Sequence, residues 1–274
     1  MRGEHRRARL HGTASDWTRW LEWGEVSATR VVIALHGLGQ TADFLAPLAA
    51  ALVERGDVRV LAPDLRGHGE SGDLVGESAD ACLVGDATAL ARTAGRPCIW
   101  FGNSLGGRVA AMAAGQHPEL TARLVLAETF IGVERHLRLV LAGARARFTR
   151  SRFTSREEAH QFAATELQLR GPSHGAWLDH ALAPLPDGGL GLKMRPSVLD
   201  TARWASDAAV RSLLGCIRAP VALVFGGASS ALSPAQQSAA AAALPGARIA
   251  RIPAAGHDVF LDAPGPLADV ILDA

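Results

Sequence analysis

Short apolar runs that alternate with amphipathic helical stretches predict an α/β fold, a mostly parallel sheet covered by helices on both faces. Two more observations shape it. The alternation breaks off after residue 130, and a 48% hydrophobic content over 274 residues is enough to bury a full core in one domain with an insertion. The strand-like runs are Val31 to Leu35, Val58 to Ala62, Cys98 to Phe101, Leu124 to Ala127 and Val221 to Phe225, with Arg248 to Ile252 as a sixth. The region of Trp17, Trp20 and Trp23 fits an antiparallel strand at the sheet edge.

Helical patterns fill the gaps, at Asp43 to Arg55, Ala79 to Thr93, Leu105 to Gln116, Pro234 to Leu244 and Pro264 to Leu272. Pro234 and Pro264 suit a first helical turn, where the missing N–H costs nothing. From Ile131 to Leu214 an Arg-rich helical stretch, interrupted at Pro184 to Gly191, replaces the alternation. The expected organisation is therefore a core of residues 1–130 and 215–274 with a helical cap of residues 131–214.

Composition narrows the partners. The 28 Lys and Arg against 27 Asp and Glu encode no global attraction to nucleic acid or to an anionic membrane, so a small-molecule substrate is expected. Arg2, Arg6, Arg7 and Arg9 are not followed by the apolar stretch a secretory signal needs, and no window of about 18 apolar residues is present to span a membrane. Cys82, Cys98 and Cys216 form neither a CxxC pair nor a disulfide framework; buried free thiols and a cytoplasmic location are the expectation.

The strongest chemical signal is Gly102-Asn103-Ser104-Leu105-Gly106-Gly107, which joins a strand directly to a helix. A turn that sharp forces unusual dihedrals on Ser104 and leaves its hydroxyl exposed at the carboxyl end of the sheet, with glycines where side chains would clash. His257 sits in a Gly-containing loop after the last strand, from which an imidazole can reach back over the sheet and act as base and then acid near neutral pH.

These features resemble the α/β-hydrolase family almost end to end. His36-Gly37-Leu38-Gly39 is similar to the family's oxyanion loop, Pro63 to Ser71 to its structural turn, and Ala255-Gly256-His257 to the loop that delivers the catalytic His. The resemblance implies the α/β-hydrolase fold, with the cap inserted after strand 6, the run Leu124 to Ala127. It also implies Ser104 as nucleophile, His257 as general base, and the backbone N–H groups of Leu38 and Leu105 as an oxyanion hole contributing about 3 to 4 kcal/mol per donor. His36, His68 and Asp64 fall in structural turns by the same resemblance.

The third triad member departs from the family pattern. Many relatives carry an Asp after the strand corresponding to Val221–Phe225, but this chain reads Gly226-Gly227-Ala228-Ser229-Ser230-Ala231-Leu232-Ser233-Pro234, with no carboxylate. Ser230 offers a hydroxyl to the His ring, but no charge to offset an imidazolium. Glu128, at the end of the neighbouring strand, is the expected replacement, a placement that resembles zearalenone-type lactone hydrolases. Its alternative role is to hydrogen-bond the cap hinge, and Asp258 and Asp200 are lesser candidates for the acid.

A Ser nucleophile points to an acyl-enzyme, hence to hydrolysis of a carboxylic ester or lactone of a small, largely apolar molecule. C–C bond cleavage of a β-diketone and a non-catalytic small-molecule binder are the alternatives. Gln40, Trp177 and Trp204 are candidates to line the substrate pocket, although packing of the cap accounts equally well for the tryptophans. Arg145, Arg147, Arg150 and Arg152 form either a solvated helix face or a surface for a substrate carboxylate or a partner. No metal motif and no phosphate loop is present, so neither metal nor cofactor is expected.

Overall fold

The computed structural model describes residues 4–9, 17–76, 78–131, 136–148, 151–166 and 178–273. Chain order begins with β1 (Glu4–Arg9), β2 (Trp17–Trp23), β3 (Arg30–Leu35), α1 (Ala46–Glu54), β4 (Val58–Pro63), α2 (Ala79–Arg92), β5 (Cys98–Asn103), α3 (Leu105–Gln116) and β6 (Thr121–Ala127). An insertion follows, with α4 (His136–Phe148), β7 (Arg152–Phe153), α5 (Arg156–Glu166), β8 (Leu182–Pro184), β9 (Leu190–Leu192) and α6 (Asp207–Leu214). The chain then returns through β10 (Val221–Gly226), α7 (Pro234–Ala243), β11 (Arg248–Ile252), α8 (Val259–Asp262) and α9 (Pro264–Leu272).

The main sheet runs β1-β2-β4-β3-β5-β6-β10-β11, parallel from β4 onward and antiparallel at β1 and β2. Its strands alternate between two cores. Val31, Ile33 and Leu35 of β3 face the layer holding α2 and α3, while Val32 and Ala34 face the layer holding α1 and α9. The chain leaves β3 toward β4 on one side and later crosses to β5 on the other. The strand order thus reverses between β3 and β5, and their carboxyl ends flank the crevice where open α/β sheets bind ligands.

The sequence expectations need three corrections. The Trp17–Trp23 strand is not the edge, because β1 pairs outside it along its whole length. Its sequence, EHRRAR, carries the charge typical of an edge strand and none of the apolar alternation that marks a strand in sequence. The insertion is not purely helical. Its Gly/Pro-rich interruption is the turn of a hairpin, with Leu185 N donating to Gly189 O at 2.7 Å and Gly188 at φ 86°, inside a small sheet ordered β7-β9-β8. Of the cysteines only Cys98 is fully buried; Cys82 is partly so and Cys216 is exposed.

Candidate active site

The elbow between β5 and α3 is built by close approach of backbones. A Cβ on Gly102 would lie 2.3 Å from Gly106 O, one on Gly106 2.2 Å from Leu35 O, and one on Gly107 1.9 Å from Thr129 Oγ1. With that space closed, the chain turns at Ser104, which has φ 52° and ψ −115°, while its N–H donates to Ala127 O at 3.0 Å. Ser104 is only partly buried and borders a cavity. Leu105 opens α3, so its N–H has no carbonyl of its own helix to bind and lies at the positive end of the helix dipole.

The loop after β3 supplies the opposite wall. A Cβ on Gly37 would sit 3.5 Å from Ser104 Cβ, so the two turns are in contact. Gly37 O accepts from His36 Nδ1 at 2.8 Å and from Gln40 N at 3.2 Å. A trans peptide points its C=O and N–H in opposite directions, so the Leu38 N–H is turned away from those donors. Leu38 borders the same cavity as Ser104.

Glu128 begins the chain after β6 and is fully buried. Among the described residues, non-glycine positive φ occurs at Asp57, Ser104 and Glu128, so two of the three left-handed turns fall at candidate site residues. Its N–H donates to Val224 O across the sheet, which aims the side chain at the end of β10. There Oε1 accepts from Gly226 N at 2.8 Å, and Oε2 accepts from Ser229 Oγ at 2.6 Å and from His257 Nδ1 at 3.4 Å. The carboxylate fixes Nδ1 as the protonated nitrogen and leaves Nε2 with a lone pair.

His257 is held from several sides. With the Asn103 amide turned so that its nitrogen rather than its oxygen faces the two carbonyls around it, this residue before Ser104 donates to His257 O at 3.1 Å and to Ala127 O at 3.3 Å. The Phe130 ring lies 6.2 Å from the imidazole, and Phe130 borders the cavity beside Ser104. Burial works against the imidazolium, but the Glu128 hydrogen bond and the charges of Asp258 and Glu128 outweigh it, so the ring titrates above its ordinary value. His36 and His68 go the other way, lowered by burial to about 4 and about 3. His36, in the loop after β3, accepts from Leu65 N at 2.9 Å through Nε2, and His68 Nδ1 lies 3.2 Å from Arg66 O, so both neutral rings brace the turn after β4. Asp64 belongs there too, bound to Arg19, Ala42 N and Glu70 N.

Residues 26–264 match the family described as serine aminopeptidase, S33. The chain belongs to that family, within the α/β-hydrolase superfamily. Pimeloyl-(acyl-carrier protein) methyl ester esterase of Aromatoleum aromaticum is 31% identical to this α/β-hydrolase over 260 residues, covering 88% of the chain and 96% of that protein. The 3-hydroxybutyrate-oligomer hydrolase of Cupriavidus necator is 33% identical over 108 residues, 38% of this chain, and the match spans only 36% of that relative. Mouse sn-1-specific diacylglycerol lipase ABHD11 is 34% identical over 97 residues, again about a third of its length, 32%. Among solved structures, E-2-(acetamidomethylene)succinate hydrolase superposes with a TM-score of 0.83 at 23% identity, covering 99% of this chain and 100% of that one. At such identity the likeness bears on fold alone. Family and fold together place the chain among the α/β-hydrolases.

Not every candidate from the sequence sits where expected. Gln40 does not border the Ser104 cavity; it is buried behind the oxyanion loop with both ends of its amide hydrogen-bonded. Trp204 is also buried. Its indole N–H donates to Val198 O, and it borders a neighbouring hollow rather than the one at Ser104. Trp177 lies outside the described residues. Ser229, not Ser230, supplies the hydroxyl, and it binds the carboxylate. Asp258 turns toward Gln40, and Asp200 caps a short turn through Ala202 N.

The lining that sequence reasoning missed is Arg108, Phe130, Leu137, Val140 and Leu141. Arg108 stands one helical turn after Ser104, a spacing that could have flagged it. Leu137, Val140 and Leu141 fall at i, i+3 and i+4 on one face of α4, a pattern visible in sequence without its target. Among the described residues no cluster fits a metal ion, and no helix is long and apolar enough to cross a membrane.

Proposed function

We propose that the protein cleaves carboxylic esters, lactones included, of small and largely apolar molecules through an acyl-enzyme. The observation that carries this is the convergence of three elements. Ser104 stands on a left-handed elbow, His257 is tied through its backbone carbonyl to Asn103 of that elbow and lies beside Phe130, and a buried Glu128 is bonded to the Nδ1 side of its ring.

In this reading Ser104 Oγ attacks the ester carbonyl while its proton passes to His257 Nε2. The oxyanion is stabilised by the Leu38 and Leu105 N–H groups. Glu128 holds the tautomer and offsets the imidazolium charge. Collapse of the tetrahedral adduct breaks the C–O bond, and His257 returns the proton to the departing alkoxide. Water then attacks the acyl-enzyme with His257 again as base, releasing the acid and restoring Ser104. A lactone follows the same path, its alkoxide remaining attached to the acyl group.

The cavity walls support the substrate class. Leu38, Leu105, Phe130 and the α4 residues are apolar, and the one charged side chain among the described lining residues, Arg108, is held by Asp80 through bonds of 2.8 and 3.0 Å. The cavity measures about 30 Å³, too small for an acyl substrate as it stands, and in this reading α4 shifts to admit one. Relatives named for ester cleavage and for oligomer hydrolysis support acyl-oxygen scission. The test is a panel of short-chain p-nitrophenyl esters and aliphatic lactones, run on the wild type and Ser104→Ala. Turnover of either class that vanishes with Ser104 is expected; turnover indifferent to Ser104, or none in the folded protein, would overturn the proposal.

A further inference from the structure

Two loops separated by most of the chain meet behind the cavity. Gly37 N donates to Gln40 Oε1 at 2.7 Å, and the other end of that amide, Nε2, donates to Asp258 Oδ1 at 2.8 Å. Asp258 directly follows His257, and its backbone carbonyl accepts from Leu261 N and Asp262 N where α8 begins. Gln40 is 7% and Asp258 5% exposed, so neither bond competes with bulk water.

We propose that Gln40 and Asp258 form a cross-tie that fixes the oxyanion loop against the loop carrying His257, with Gln40 a positioning residue that never touches substrate. The inference rests on the roles given above to Ser104, His257 and Leu38. An amide is the group this place demands, because it must accept from Gly37 on one side and donate to a carboxylate on the other. A Glu in its place could accept but not donate, setting two buried carboxylates face to face. Truncation would strip a buried N–H and a buried carboxylate of a partner at once. Asp258 adds a second effect, since its charge favours the imidazolium alongside Glu128.

The experiment compares wild type with Gln40→Ala, Gln40→Glu, Asp258→Asn and the double variant Gln40→Glu/Asp258→Asn, using p-nitrophenyl butyrate and a fluorophosphonate probe on the full chain. In the double variant donor and acceptor are exchanged: the new carboxylate accepts both from Gly37 N–H and from the new amide. We expect both single Gln40 variants to lose at least about tenfold in kcat with little change in KM, and the double variant to regain most of the loss. Asp258→Asn can keep the Gln40 bond through its amide oxygen while removing the charge, so the ascending limb of kcat/KM should move to lower pH. That shift reads the Asp258 charge alone, separately from the tie. A Gln40→Ala kcat within about twofold of wild type, or a double variant no better than Gln40→Glu, overturns the cross-tie. If Gln40→Ala does not fold, the comparison of the double variant with Gln40→Glu decides. Absence of Ser104-dependent labelling in the wild type overturns the site assignment and the cross-tie with it. Normal wild-type labelling with an equal rate in Gln40→Ala overturns the cross-tie alone.

Discussion

Glu128 is buried with no solvent of its own, so its charge is tolerable only because Gly226 N, Ser229 Oγ and His257 Nδ1 all donate to it. Glu128→Gln keeps the shape and removes the charge that would balance an imidazolium. It should therefore lower turnover at least about a hundredfold with the fold intact, measured as kcat beside a circular-dichroism melt. Ser229→Ala removes one donor and leaves the charge, so its loss should be smaller, about tenfold. Equal losses in the two variants would mean that the carboxylate acts through its hydrogen bonds rather than its charge. Glu128 was legible in sequence because the loop after β10 has no acid and the neighbouring strand ends in one. Ser229 was not: Ser229 and Ser230 are equivalent in a string of letters, and only the turn decides which hydroxyl faces the carboxylate.

At the level of elements, the same physics that made the strands readable hid the insertion. Parallel strands buried on both faces write themselves as short apolar runs, and the six expected ones match β3, β4, β5, β6, β10 and β11 to within a few residues. β1 carries no such signature, and the two- and three-residue strands of the insertion fall below the length at which alternation is detectable. The elbow was legible through its glycines, and their spacing makes a prediction. Gly106→Ala places a methyl 2.2 Å from Leu35 O and 2.6 Å from His36 O, both backbone atoms that cannot step aside. We expect a loss of at least about 2 to 3 kcal/mol, read as a Tm drop of roughly 5 to 10 °C. Gly215→Ala, whose Cβ would meet nothing closer than Ser212 O at 3.6 Å, should melt like the wild type. A Gly106→Ala protein that also melts like the wild type would contradict this packing.

For the molecule as a whole, stability should depend on pH through two histidines that take no part in the proposed chemistry. His36 and His68 are buried and neutral, with values lowered to about 4 and about 3 from an ordinary 6.5. Below pH 6.5 the unfolded chain binds protons that the folded one refuses, so stability is complete above that pH and falls as pH drops toward 4. Each ring should cost on the order of 2 kcal/mol at pH 5. Tm measured from pH 7.5 to 5 should decline in the wild type and decline less in His68→Asn; a flat profile would place these rings in contact with solvent. The whole design places strain, buried charge and close backbone contact around Ser104, and the central claim is that this serine is chemically activated. The most direct measurement is peptide mapping of the purified protein after exposure to a fluorophosphonate, beside His257→Ala and Glu128→Gln. A single adduct on Ser104, lost in the first variant and slowed in the second, is the predicted result; an unlabelled folded protein, or an adduct on another residue, would contradict it.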